Sequence, residues 1–136
     1  HTGSSAASDV YKRQDNRHTM ALFFQNRASE IFGVDIHPAA KISGGVMIDH
    51  ATGVVIGETS VIDENVSIYQ GVTLGGKGFE NGDRHPKIKS GVSIFASSTI
   101  LGNITIEKNA KVAAGSLVLK DVKKNTTVAG IPAKEI

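Results

Sequence analysis

Over most of its length this chain places isoleucine, leucine or valine at every sixth residue. The series runs Ile36, Ile42 and Ile48, slips by two residues to Ile56, Ile62, Ile68 and Leu74, and resumes after a longer break at Ile88, Ile94, Ile100, Ile106, Val112 and Val118. A period of six fits neither a helix nor the alternation of one long strand; it is the spacing of a parallel β-helix. Each hexad supplies a short strand and a turn, and three sides close a triangular coil. The aliphatic residue points inward and stacks on its counterpart one coil away. Thirteen such positions without a polar residue count against an antiparallel meander. The chain is therefore read as all-β, with about four coils within residues 34–136. Two residues before the aliphatic positions, and at Thr52 where the sixfold count from Val46 runs into the slip, the side chains are small or β-branched, as at Ala40, Val46, Ser60, Val66, Val72, Ser98, Ala110 and Ser116, which suits tight corners.

The composition agrees with such a core. Aromatics are 5% of the chain and tryptophan is absent, so stacked aliphatics must fill the interior. A net charge of +2 without a long basic run argues against nucleic acid as a partner. No apolar stretch approaches the roughly 20 residues that span a bilayer, and no signal peptide is recognised, so a cytoplasmic protein without membrane contact is expected. The lack of cysteine excludes disulfides, thiolate metal sites and a cysteine nucleophile. His37, His50 and His85 lack the short His-to-His spacing common in metal sites, so no metal is expected.

Residues 1–19 have no periodicity and read as disordered or as a cloning or sequencing remnant. From Met20 to Phe32 the spacing predicts a helix that gathers Leu22, Phe23, Ala28, Ile31 and Phe32 on one side, with Gly33 as its terminator. A solenoid leaves its end coils open. The helix (20–33) is expected to cap one end. The segment after Val122 should close the other, with Pro132 stopping further strand pairing. Between Leu74 and Ile88 the repeat is suspended by a glycine-rich run, read as a projecting loop over 75–87.

The two breaks in the repeat hold His50 and His85. Imidazole is the usual general base near neutral pH, and its tautomer needs a partner. Asp35, about one coil earlier, is the candidate to accept the ring N–H. Asp49 is expected to point the other way, towards a substrate amine. Spacing alone equally allows His50 to be a surface corner residue and Asp49 a turn former. In the loop, Arg84 offers a planar fork suited to a carboxylate, with His85 beside it, or else a solvated loop charge. His37 has no such company and is read as structural.

The runs Val34-Asp35-Ile36-His37-Pro38-Ala39-Ala40, Asp49-His50-Ala51-Thr52-Gly53, Val72-Thr73-Leu74-Gly75-Gly76, Gly82-Asp83-Arg84-His85-Pro86-Lys87 and Ala129-Gly130-Ile131-Pro132-Ala133 resemble those of bacterial serine acetyltransferase, a left-handed β-helix hexapeptide acyltransferase, from about Leu22 to Lys134. The resemblance implies acetyl transfer from acetyl-CoA to the hydroxyl of L-serine, the entry step of cysteine synthesis. His50 matches the base and Asp35 the carboxylate that orients it. Asp49 matches a residue facing the serine ammonium, and Arg84 and His85 residues facing its carboxylate. The serine oxygen would attack the thioester directly. Acetyl-CoA would lie along the coils between subunits, near Gly76, Ala96 and Ala114. The family implies a homotrimer, often two trimers joined through a helical N-terminal domain, and a partnership with cysteine synthase through a C-terminal isoleucine.

The sequence departs from the family pattern at Phe95, where glycine is usual, and at Lys77, where a small residue is usual. Met20–Phe32 matches only the last helix of the N-terminal domain, and a serine-contacting aspartate of that domain has no counterpart. The tail to Ile136 is short. Two rival readings remain: an O-acetyltransferase for another hydroxyl acceptor such as a sugar, and an inactive module that binds CoA or serves assembly.

Overall fold

The computed structural model describes residues 17–136. The expectation for residues 1–19 lies outside the described residues as far as position 16. Its last two residues, His18 and Thr19, belong to a helix, α1, spanning His18–Phe32. Gly33 ends it as the sequence suggests: at φ 65° it adopts the left-handed conformation and returns its N–H to Ser29 O.

The buried face of α1 keeps Ala28 from the expected set and otherwise differs from it. Ala21 and Ala28, seven residues apart and so on one side, are buried, whereas Leu22, Phe23 and Ile31 are at least half exposed. Small side chains let the helix approach the first strand closely, and the larger apolar residues face away. Ile42 and Ile48 remain partly exposed in the first coil, so α1 covers its end incompletely.

The repeat forms a triangular prism. Each hexad yields a strand of two or three residues: β1 (Asp35–Ile36), β2 (Lys41–Ile42), β3 (Met47–Ile48), β4 (Val55–Ile56), β5 (Val61–Ile62), β6 (Ser67–Ile68), β7 (Thr73–Gly75), β8 (Lys87–Ile88), β9 (Ser93–Ile94), β10 (Thr99–Leu101), β11 (Thr105–Ile106), β12 (Lys111–Val112) and β13 (Leu117–Val118). Every third strand pairs in parallel. The first face is β1-β4-β7-β10-β13, the second β2-β5-β8-β11, and the third contains β3-β6-β9-β12. Parallel register brings Ile56 over Ile36, Leu74 over Ile56 and Ile100 over Leu74. This is the stacked interior of a left-handed β-helix. From Ile56 to Ile106 every sixfold position is at most 1% exposed. Truncating one of them, such as Ile68, to alanine is expected to cost about 2–5 kcal/mol.

The inner corner positions hold Ala40, Ser60, Val66, Val72, Ser98, Ala110 and Ser116, all buried. Val46, in the open first coil, is only partly buried, and Thr52 is exposed. The two-residue slip pushes Thr52 to the surface, and Val54 takes the inner place. The outer turns between the second and third faces place glycine or asparagine at positive φ: Gly45, Asn65, Gly91, Asn109 and Asn125. Asparagine tolerates the left-handed conformation. Each of Asn65 and Asn109 lays its carboxamide where a Cβ on the glycine below would stand.

The far end also differs from expectation. Val118 is followed after four residues by Val122, which bridges Ile106, and then by β14 (Thr127–Gly130) on the third face. Pro132 does not end the pairing. The chain reverses there, and β15 (Ala133–Glu135) pairs antiparallel with β14. A reversed strand needs no further coil above it, so the hairpin closes the stack.

Candidate active site

The two histidines singled out by the repeat occupy different edges of the prism. His50 lies between β3 and β4, on the edge joining the third and first faces. Arg84 and His85 lie between β7 and β8, on the edge joining the first and second faces. The full width of the first face separates them. A hexad of extended chain makes that side on the order of 15–20 Å.

On its edge, His50 is held by little. The extra two residues of the corner are taken up by His50 and Ala51, which both have positive φ, 61° and 64°. Non-glycine residues in this conformation are uncommon and cluster at functional sites. The His50 side chain is 72% exposed and turned outward. Asp49 does not point away as expected. Its Oδ1 accepts the His50 backbone N–H at 3.0 Å, and Oδ2 lies 3.9 Å from His50 Nε2, beyond hydrogen-bond reach.

Asp35 does not meet His50 in this conformation. Its Oδ1 accepts Gln25 Nε2 at 3.0 Å, from α1. The slip lengthens this coil to a register of 20 residues, Asp35 to Val55, so the carboxylate lies under the strand that follows the His50 corner.

The other edge is densely bonded. Val61 pairs with Lys87, a register of 26 that includes the loop, and this sets Thr59 under His85. Thr59 Oγ1 accepts the backbone N–H groups of Arg84 and His85, both at 3.0 Å. His85 Nδ1 lies 2.8 Å from the same oxygen and 3.1 Å from Thr59 N. The ring lies against Gly57, where any Cβ would overlap it. His85 is only 7% exposed. Burial lowers its pKa below the ordinary imidazole value, Arg84, Lys87 and His37 lower it further, and Glu58 opposes them. Arg84 Nη2 pairs with Glu58 Oε2 at 2.9 Å and Nη1 donates to Gly82 O, so its fork is partly engaged within the chain. Lys87 Nζ bonds Asp83 at 2.7 Å, and this hydrogen bond and charge hold the Asp83 carboxyl below its usual range.

Of the small residues expected to face a coenzyme, Ala96 and Ala114 stack on the His50 edge, joined by a hydrogen bond from Gly115 N to Ala96 O at 2.9 Å. Gly76 lies on the other edge, beside Arg84. Among the described residues no group accepts the backbone N–H of Gly76, Ala96 or Ala114, so these donors remain available. No three His, Asp or Glu side chains among the described residues converge as metal ligands. No helix there is long and apolar enough to cross a membrane.

The residues that sequence reasoning missed are Gln25, Glu58 and Thr59. Thr59 was legible in principle, because subtracting the loop from the hexad count sets it in register with His85.

Comparison with known proteins gives the arrangement a context. No family model matches the chain. It is 58% identical over 124 residues to the serine acetyltransferase of Haemophilus influenzae, covering 91% of this chain and 46% of that protein. The chain matches the C-terminal part of the serine acetyltransferases. It spans about half the length of the curated relatives it matches. It superposes with a TM-score of 0.97 and 51% identity on the Brucella abortus serine acetyltransferase in complex with coenzyme A, covering 98% of this chain and 53% of that one. With the Neisseria gonorrhoeae serine acetyltransferase in complex with serine the TM-score is 0.96 and the identity 54%, covering 99% and 55%. These likenesses extend over the prism, both corners and the loop.

Proposed function

We propose that this chain carries the acetyl-transfer site of a serine O-acetyltransferase, moving acetyl from acetyl-CoA to the hydroxyl of L-serine. The observation that carries the reading is the close superposition, at above 50% identity, on serine acetyltransferases whose structures hold coenzyme A in one case and serine in the other.

His50 removes the proton of the serine hydroxyl. The oxygen attacks the thioester carbonyl, a C–O bond forms, and the tetrahedral intermediate collapses with loss of the C–S bond. The proton held by His50 passes to the departing sulfur. An outward imidazole in contact with solvent suits this exchange. Asp35 is proposed to orient the ring, which requires its carboxylate to turn from Gln25 to His50. Asp49 faces the ammonium group. Arg84 and His85 hold the carboxylate, Arg84 through guanidinium N–H groups beyond those engaged by Glu58 and Gly82. The open amides of Gly76, Ala96 and Ala114 suit the carbonyls of the pantetheine arm.

Serine is far too small to bridge the first face of one chain. The site is therefore proposed to form between copies, the His50 edge of one subunit meeting the Arg84 edge of the next, in a homotrimer. Joining of two trimers and docking to cysteine synthase are further family properties that these residues do not argue for.

The test is CoA release measured with L-serine and with sugar acceptors. Serine-dependent release supports the reading. Release with sugars alone favours the other O-acetyltransferases, and CoA binding without turnover favours the assembly module.

A further inference from the structure

Thr59 has no role in the reaction as proposed, yet it stands at the centre of the bonding on the Arg84 edge. Its hydroxyl oxygen accepts two backbone N–H groups, from Arg84 and His85. A hydroxyl has two lone pairs and one proton. Both lone pairs are spent, and the proton is left for the remaining neighbour, His85 Nδ1 at 2.8 Å. The Thr59 backbone N–H reaches the same nitrogen. A ring nitrogen that receives two donors carries no proton of its own. The hydrogen of the ring is thereby assigned to Nε2. Among the described residues Nε2 has no hydrogen-bond partner, and the one buried side-chain polar atom left without a partner is Ser60 Oγ, so Nε2 opens to solvent.

We propose that Thr59 is a positioning residue that locks His85 as the neutral Nε2–H tautomer, making it a hydrogen-bond donor to the carboxylate of the amino-acid substrate. This rests on the serine reading above. Binding a second proton would require His85 to break from Thr59. Burial and the charges of Arg84, Lys87 and His37 oppose that proton, and Glu58 alone favours it. The two histidines would then divide the work: His50 exchanges protons, and His85 keeps its own. The anchoring of both Arg84 N–H and His85 N–H on one oxygen also fixes the two carboxylate-binding side chains relative to each other.

The test is nitrogen-15 NMR of the histidine rings in the full chain, for the parent and for Thr59→Ser and Thr59→Val, with the His85 signal assigned by its loss in His85→Gln. The parent is expected to give the Nε2–H signature at about pH 7.5. Thr59→Ser should retain it. Thr59→Val should mix the tautomers and raise the serine KM on the order of tenfold, leaving the acetyl-CoA KM within about twofold. An Nδ1–H or doubly protonated His85 in the parent near neutral pH would overturn the proposal, as would a Thr59→Val chain with unaltered tautomer and serine KM. Should Thr59→Val fail to fold, the parent spectrum decides. The ring signature is read without substrate, so its presence in a parent that shows no serine-dependent release supports the lock and counts against the serine reading instead.

Discussion

The two edges that flank the first face treat a histidine in opposite ways. At the third–first edge the coil is longer by two residues, and His50 stands exposed in a left-handed conformation, its side chain near Asp49 alone among the described residues. At the first–second edge the coil is interrupted by a whole loop, yet His85 is buried and bonded through Nδ1 and its backbone N–H. In the reaction proposed, His50 gains and loses a proton, which an outward imidazole permits once Asp35 orients it. His85 recognises a carboxylate in that same reading, and its bonding fixes the direction of the ring. Each place is made by a different kind of break in the same repeat. The strained corner costs about 1–2 kcal/mol for each left-handed non-glycine residue, and it persists because Val54 and Ile56 restore the buried stack immediately afterwards.

The contrast can be broken first at His50. Asparagine tolerates positive φ, so His50→Asn is expected to lower kcat by roughly 10²–10⁴-fold while leaving Tm unchanged. Near-parent turnover would remove His50 from the proton transfer. At the other edge, Gly57→Ala would force the His85 ring from its place. We expect a destabilisation of about 1–3 kcal/mol and a higher serine KM, seen by thermal unfolding and initial-rate kinetics. Arg84→Ala should raise the serine KM by roughly 10- to 100-fold and the acetyl-CoA KM much less. Equal effects on both would refute its assignment to the carboxylate.

Protonation distinguishes the edges in another way. Because the folded state depresses the His85 pKa, the unfolded chain binds the proton more readily below the ordinary value of about 6.5. The stability from His85 is therefore complete above that pH and is lost as pH falls towards the depressed value. Thermal unfolding at about pH 7.5 and pH 5.5 should show a decline that is smaller in His85→Asn. The second–third edge is the control. Asn109→Ala should cost about 1 kcal/mol through its positive φ and leave both KM values unchanged.

Much of this was legible in the sequence. The sixfold aliphatics, the terminating Gly33 and the projecting loop are local signals, and each hexad repeats the same physical constraint. The face used by α1 was not legible, because apolar size suggested Leu22 and Phe23 while close approach to β1 selects Ala21 and Ala28. The separation of His50 from Arg84 was likewise hidden, since it depends on counting which strand belongs to which face. Asp35 illustrates the same limit. In a coil of 20 residues it stands in register with Val55, and Gln25, on a different element, holds its carboxylate.

Mixed oligomers test the central claim most directly. His50→Asn and Arg84→Ala chains, each inactive or weak alone, can be unfolded, combined in equal amounts and refolded together. If each site joins the His50 edge of one copy to the Arg84 edge of another, the mixture should regain serine-dependent CoA release to about one quarter of the parent value for random assembly. Turnover no higher than the mean of the two separate variants, with mixed assemblies demonstrated by mass, would contradict a site shared between subunits.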